Sequence, residues 1–159
     1  MTDKTSSRLV IGVPRAVLLG VIGDFEAYPR WASGVSAAEV LERDPEGRAR
    51  QVRFTLDAGL ITDSYVLRYD WLGEDEVRWE LAEKGKMVTR MSGAYRLADR
   101  GGGPDAESAT EVTYELAVGV AMPMIGPFKR RAEKTIIDTA LNGLRDRALR
   151  LHATRRADD

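Results

Sequence analysis

The chain has 159 residues, 43% of them hydrophobic and 31% charged, with Lys+Arg 24 against Asp+Glu 25 and a formal net charge of -1. Such a balance creates no long-range field to draw nucleic acid. A Cys count of 0 excludes disulfides, thiolate nucleophiles and cysteine-ligated metals together, which suits a reducing compartment.

The length suits one domain over residues 1–159, burying about 70% of the surface that the unfolded chain exposes. Residues 6–12, SSRLVIG, read as a short first strand, and Pro14 then stands where a helix start favours proline. A helix to Gly23 follows. The apolar run 9–23 is broken by Pro14 and Arg15 and precedes no small-residue cleavage motif. Too short to span a bilayer, it predicts neither leader nor anchor, and a cytoplasmic location is expected. Next comes DFEAYPRW, residues 24–31, which sets Phe25, Tyr28 and Trp31 around Pro29. Asp24 is placed to cap the turn through its carboxylate, Pro29 disfavours the helical region for Tyr28, and Ser33 and Gly34 end the turn. Two short helices meeting at an angle are expected.

From Val35 to Met122 the pattern changes to short segments divided by turn signals: DPEG at 44–47, AG at 58–59, GED at 73–75, EKGK at 83–86 and a loop at 99–110. About six strands in a meander are predicted. Their alternation sorts the side chains into two faces. Val52, Phe54 and Leu56 share the inner face, followed by Ile61, Tyr65, Leu67, Tyr69 and Trp71. Val77, Trp79 and Leu81 continue it, then Met87, Thr89, Met91, Gly93, Tyr95 and Leu97, and finally Val112, Tyr114, Leu116, Val118 and Val120. An inner face this rich in Tyr, Trp and Met fits a ligand cavity, because each phenol or indole needs a polar partner. A filled core with large residues against small ones fits the same pattern.

From Met124 to Thr154 no proline follows Pro127, and Phe128, Ala132, Ile136, Ala140, Leu144, Ala148 and Leu151 recur at helical spacing. One long amphipathic helix is predicted, with residues 155–159 frayed. It offers small residues to the sheet, Ala132, Thr135, Thr139 and Gly143, which either leave a void or admit a close neighbour.

The order of these elements, with GDFEAYPRW before the meander and RAEKTIIDTAL in the last helix, resembles the polyketide cyclase/dehydrase and lipid-transport family of START-like proteins. The closest likeness is to its coenzyme-Q-binding-type members. The resemblance covers nearly the whole chain and implies an α+β helix-grip fold: a seven-stranded antiparallel sheet curled around the C-terminal helix, with two short helices after the first strand. It also implies a deep apolar pocket between sheet and helix. Its wall would then comprise Phe54, Leu56, Tyr65, Leu67, Tyr69, Trp79, Met91, Tyr95 and Tyr114 from the strands. The helical side would offer Met124, Phe128, Ala132, Thr135, Ile136 and Thr139. Phe25, Tyr28 and Trp31 would lie near the open end, or else form a helix-to-sheet packing cluster. GPF at 126–128 is either a portal hinge or an ordinary proline helix start.

Other chemistries find little support. The only histidine, His152, sits in the last helical turns with no nucleophile or ligand set near it in sequence, so neither a hydrolase triad nor a metal site is expected, and no cofactor. No phosphate loop is present. The words KRR at 129–131 and RLHATRR at 150–156 read as a solvated face balanced by Glu133, Asp138 and Asp146, or as a transient contact with anionic lipid headgroups. Asp63 falls on the apolar side of its strand, where desolvation would raise its pKa and fit it for acid or base work. A one-residue bulge near Gly59 would instead turn it into water, the preferred of the two readings.

Two functions follow. One is binding, and delivery, of a lipid, isoprenoid quinone or polyketide-like molecule. The other is aldol cyclisation and dehydration of a poly-β-ketone in the same pocket, with Asp63, Tyr65 and Arg68 as the candidate catalytic groups. Aromatase members of the family carry a pocket arginine on a central strand. Its nearest counterpart, Arg68, falls on the outer face beside Asp70, which favours binding over catalysis. Oligomeric state is left open.

Overall fold

Alternation of apolar and polar residues is realised in seven strands: β1 (Thr5–Ile11), β2 (Val35–Arg43), β3 (Ala49–Ala58), β4 (Ile61–Leu72), β5 (Glu76–Glu83), β6 (Val88–Asp99) and β7 (Thr110–Val120). They form one antiparallel sheet in the order β1-β7-β6-β5-β4-β3-β2, the meander closing with β1 laid beside β7. The computed structural model describes residues 4–58, 61–100, 108–121 and 126–158, without the side chains of 58, 61, 126–129 and 155–158. The hairpin turn at Gly59 and the glycine-rich loop at 101–107 therefore lie outside the described residues. The DPEG turn is stapled by Asp44, whose carbonyl accepts from Gly47 N–H at 2.9 Å and whose carboxylate accepts from Arg48 N–H at 2.9 Å. Gly47 takes φ 86° there, a left-handed conformation that costs glycine least.

Helix α1 (Arg15–Gly23) starts immediately after Pro14, and a 3-10 turn at Phe25–Ala27 leads into the single-turn α2 (Tyr28–Trp31). Two local expectations are corrected. Asp24 makes no side-chain cap bond. Tyr28 is helical, with φ -52° and ψ -40°, despite preceding proline. Pro29 falls in the first turn of α2, where its missing N–H would have no intrahelical partner anyway.

Helix α3 (Gly126–Asp158) is continuous through residues where fraying was expected. Its buried line is Ile137, Leu141, Leu144 and Ala148, packed toward β1, β7 and α1. The line 132, 136, 140 expected to be the packed stripe is instead half-buried or exposed. Glu133, expected on the solvated face, is 1% exposed. Its carboxylate accepts from Thr5 Oγ1 at 2.8 Å and from Val118 N–H at 2.9 Å. Among the described residues the β1 ladder begins at Thr5 opposite Leu116, so Val118 N–H has no strand partner and the carboxylate supplies one.

The sheet is not paired throughout. Strands β5 and β6 pair from Glu76–Arg96 to Glu80–Ser92 and then diverge, β5 staying with β4 through Glu83 and β6 with β7 from Val88. Asp63 holds this divergence. It is 6% exposed, neither solvated nor raised in pKa as anticipated. Its carboxylate accepts from the N–H groups of Ser64 at 2.9 Å, Lys86 at 2.7 Å, Met87 at 3.1 Å and Val88 at 2.8 Å, drawing the β5–β6 loop past the end of β5 onto β4. A Cβ at Gly85 would stand 2.4 Å from both carboxylate oxygens, so only glycine fits beside it. Burial alone would push this carboxyl up, but the four N–H donors outweigh it and hold it below its ordinary range.

Asp63→Asn is therefore expected to lose about 2–3 kcal/mol of stability at neutral pH, read by urea unfolding. Because the folded carboxyl titrates lower than the unfolded one, that advantage is complete above an unfolded value of about 4 and fades as pH falls through the lowered folded value. A wild-type lead that does not shrink in acid would show that the carboxylate is not the tie.

Candidate functional site

Cross-strand pairing stacks the rings of the inner face. Phe54 lies opposite Tyr65, Tyr69 opposite Trp79, and Tyr95 opposite Tyr114. Trp79 is itself opposite Gly93, and a Cβ there would meet its ring at 2.5 Å, so the indole lies flat over glycine and reaches the next strands. Its ring centroid is 5.3 Å from that of Tyr95 and 5.4 Å from that of Tyr114, which are 4.7 Å from each other. The result is a continuous aromatic wall from β3 to β7.

Between this wall and the N-terminal half of α3 lies a cavity of about 690 Å³. Phe54 and Leu56 contribute from β3, Tyr65, Leu67 and Tyr69 from β4, Trp79 from β5, and Met91 and Tyr95 from β6. Tyr114 contributes from β7, while Tyr28 and Trp31 close the α2 end. Across the space stand Ala132, Thr135, Ile136 and Thr139 of α3. Ile136 remains 45% exposed, because on that side α3 has no sheet against it. The expected lining left out Ala32–Val35, Gly119, Ala140 and Val88, in whose place Met87 and Thr89 were expected; it also left out Leu116, Val118 and Val120, although the strand phase puts these three on the inner face. Val88 was concealed by the register shift between Val88 and Arg90, which no alternation rule reveals.

Three candidates, Phe25, Asp63 and Arg68, fall elsewhere, and two are outside what is described. Phe25 is fully buried behind the wall, 4.8 Å from Tyr69 and 5.0 Å from Tyr28 between ring centroids, and makes the packing cluster rather than the cavity surface. Asp63 belongs to the loop tie and does not line the cavity. Met124 lies outside the described residues, as does the Phe128 side chain. Arg68 is exposed on the outer face and paired with Glu80, as its strand phase predicts. Gly143 proves to admit a close neighbour: a Cβ would come within 3.0 Å of the Trp31 carbonyl oxygen.

Among the described residues no charged side chain lines the cavity, so its polarity resides in phenols, indoles and the hydroxyls of Ser33, Thr135 and Thr139. Tyr28 donates to the Ile22 carbonyl at 2.6 Å, pinning α2 to the end of α1. Among the described residues, the hydroxyls of Tyr65, Tyr69, Tyr95 and Tyr114 take no protein hydrogen-bond partner. The buried Trp31 Nε1 has none either. Burial pushes all five phenols above their ordinary value; neighbouring tyrosines add to this at Tyr28, Tyr69, Tyr95 and Tyr114, and the Asp63 charge does so at Tyr65. They are neutral donors rather than bases. Thr135 returns its hydroxyl to the Arg131 carbonyl at 3.0 Å and leaves the α3 side nearly apolar. Among the described residues, no group of three His, Cys, Asp or Glu could hold a metal.

Gly93→Ala is expected to force Trp79 off the wall, lowering stability by about 1–3 kcal/mol and shifting tryptophan emission toward that of a hydrated indole. Unchanged emission would show that the wall does not depend on this close approach.

A family model described as polyketide cyclase/dehydrase and lipid transport matches residues 2–155. Among solved structures, a START superfamily protein from Mycobacterium smegmatis superposes with TM-score 0.82 at 20% identity, covering 93% of this chain and 98% of that one. A Thermus thermophilus protein follows with TM-score 0.72 at 19% identity, covering 94% and 99%. The Zhui aromatase/cyclase from a Streptomyces species gives TM-score 0.66 at 16% identity, covering 94% and 95%. At these identities the likeness establishes the fold alone. No curated protein matched the sequence. The helix-grip architecture and a match over nearly the full length place the chain in the polyketide cyclase/dehydrase and lipid transport family.

Proposed function

We propose that the protein binds, and carries, a largely apolar small molecule whose enclosed part is neutral and bears one or more acceptor oxygens, held between the aromatic wall and α3. The observation behind this reading is the pairing of a cavity of about 690 Å³ with four phenols that have no partner, and no charged lining residue, among the described residues. Apolar area supplies the drive to bind, and each phenol rewards a carbonyl or ether oxygen brought within its reach. An ionised ligand group would be desolvated in the cavity interior without a counter-charge.

Cyclisation of a poly-β-ketone is the second reading, favoured by the family and by the aromatase/cyclase among its structural neighbours. The cavity could fold such a chain into reactive geometry. Among the described residues, however, its wall offers only high-pKa phenols and no group titrating near neutrality for proton abstraction. Arg68 and Asp63, the charged candidates, face other partners.

Nile red, a neutral carbonyl-bearing fluorophore, tests the binding reading. It should bind the wild-type protein, and Tyr95→Phe with Tyr114→Phe should weaken it by about threefold to tenfold. Ala140→Phe should exclude it. Since burial holds the phenols protonated, affinity should stay flat through about pH 10, where ordinary tyrosines ionise. Loss of affinity below that pH, or failure of the wild type to bind, would overturn the assignment.

A further inference from the structure

The place where β5 and β6 part opens a second depression, of about 320 Å³, on the sheet. A hollow on one face of an intact sheet is lined by residues of a single parity, since alternate side chains point to opposite faces. This one is lined by both. Leu81, Met91 and Val118 belong to the inner phase, whereas Glu80, Ala82, Arg90 and Ser92 belong to the outer one. Met91, Val118 and Gly119 line the main cavity as well. The loop tied to Asp63 holds the strands apart at this point, pairing having stopped at Glu80 opposite Ser92.

The outer rim is basic. Lys84 and Arg90 both line it, and among the described residues neither has an ion-pair partner. The Arg90 side chain lies across Gly119, where a Cβ would meet its Cβ at 3.2 Å and its Nε at 3.6 Å, so it overhangs the residue common to both hollows. Glu80, the acid in this lining, is neutralised by Arg68.

We propose that the β5–β6 gap is a side opening of the cavity, and that Lys84 and Arg90 hold there the anionic end of an amphiphile whose apolar body lies along the aromatic wall. The proposal rests on the ligand-binding reading above and extends it: the neutral interior takes the body, and the charged end stays in the hydrated rim. The rim chemistry suits a carboxylate or a phosphate monoester, which a two-cation site can meet with charge-assisted hydrogen bonds.

Isothermal titration with dodecanoate, dodecyl phosphate and dodecanol tests this, with Nile red displacement as the second readout. The wild type should prefer at least one of the two anions over the alcohol by about tenfold. Whichever anion shows the larger preference identifies the headgroup. In Lys84→Gln with Arg90→Gln the ratio should collapse toward one, while Arg8→Gln with Arg53→Gln, removing equal charge from β1 and β3, should retain it. Equal affinity for anion and alcohol in the wild type, or a preference that survives in the rim variant, overturns the side opening. Failure of all three amphiphiles and of Nile red to bind overturns the cavity reading, and this proposal with it.

Discussion

Helix α3 is seated on one margin of the sheet rather than across its middle, and the cavity exists because of that seat. Ile137, Leu141, Leu144 and Ala148 pack toward β1, β7 and α1, and Glu133 adds a polar pin to both margin strands. A buried carboxylate left unpaired would be costly, so its two donors fix where the helix lies more narrowly than apolar contact could. With the helix held there, the curl of β3 to β6 arches over a space that the small α3 residues Ala132 and Ala140 cannot fill.

The material of the wall then sets the chemistry. Aliphatic residues would have made the same arch greasy and silent; Tyr and Trp make it apolar in area and polar at points. A phenol without a partner costs about 1–3 kcal/mol when buried dry, and among the described residues four hydroxyls without a protein partner surround one space, open to whatever fills it. Ring packing offsets part of that cost, with Tyr95 and Tyr114 meeting edge to face at 82°. Cavities of this kind are suited to occupation, because an occupant satisfies groups that the protein leaves unsatisfied.

The outer face obeys the opposite logic. Glu76 joins Arg78 and Arg96, Arg96 reaches Glu115, and Arg68 meets Glu80, so cross-strand ion pairs cover what would otherwise be a bare sheet. Individually such pairs contribute little. They matter here by keeping these charges on the outer side of the sheet, while the described lining of the cavity carries none. The β5–β6 gap is where this separation is interrupted, and Asp63 causes the interruption by binding loop N–H groups in place of a neighbouring strand.

Periodicity of two residues was sufficient to assign the strands and, except at the start of β6 where a register shift turns Val88 inward, their inner faces, since a side chain in a paired strand has only two directions to take. Phe54, Tyr65, Tyr69, Trp79, Tyr95 and Tyr114 were legible for that reason, as was the outward Arg68. Helical spacing identified α3 but misjudged its seat by one residue, because a 3.6-residue repeat allows adjacent lines such as 132, 136, 140 and 133, 137, 141 to look equally apolar. The burial of Glu133 and Asp63, the place of Phe25 behind the wall and the parting of β5 from β6 were decided by tertiary structure alone. Each depends on which backbone N–H groups or rings arrive from distant parts of the chain. Sequence determined which side chains share a face; only the folded chain decided which of those faces meet, and where they fail to.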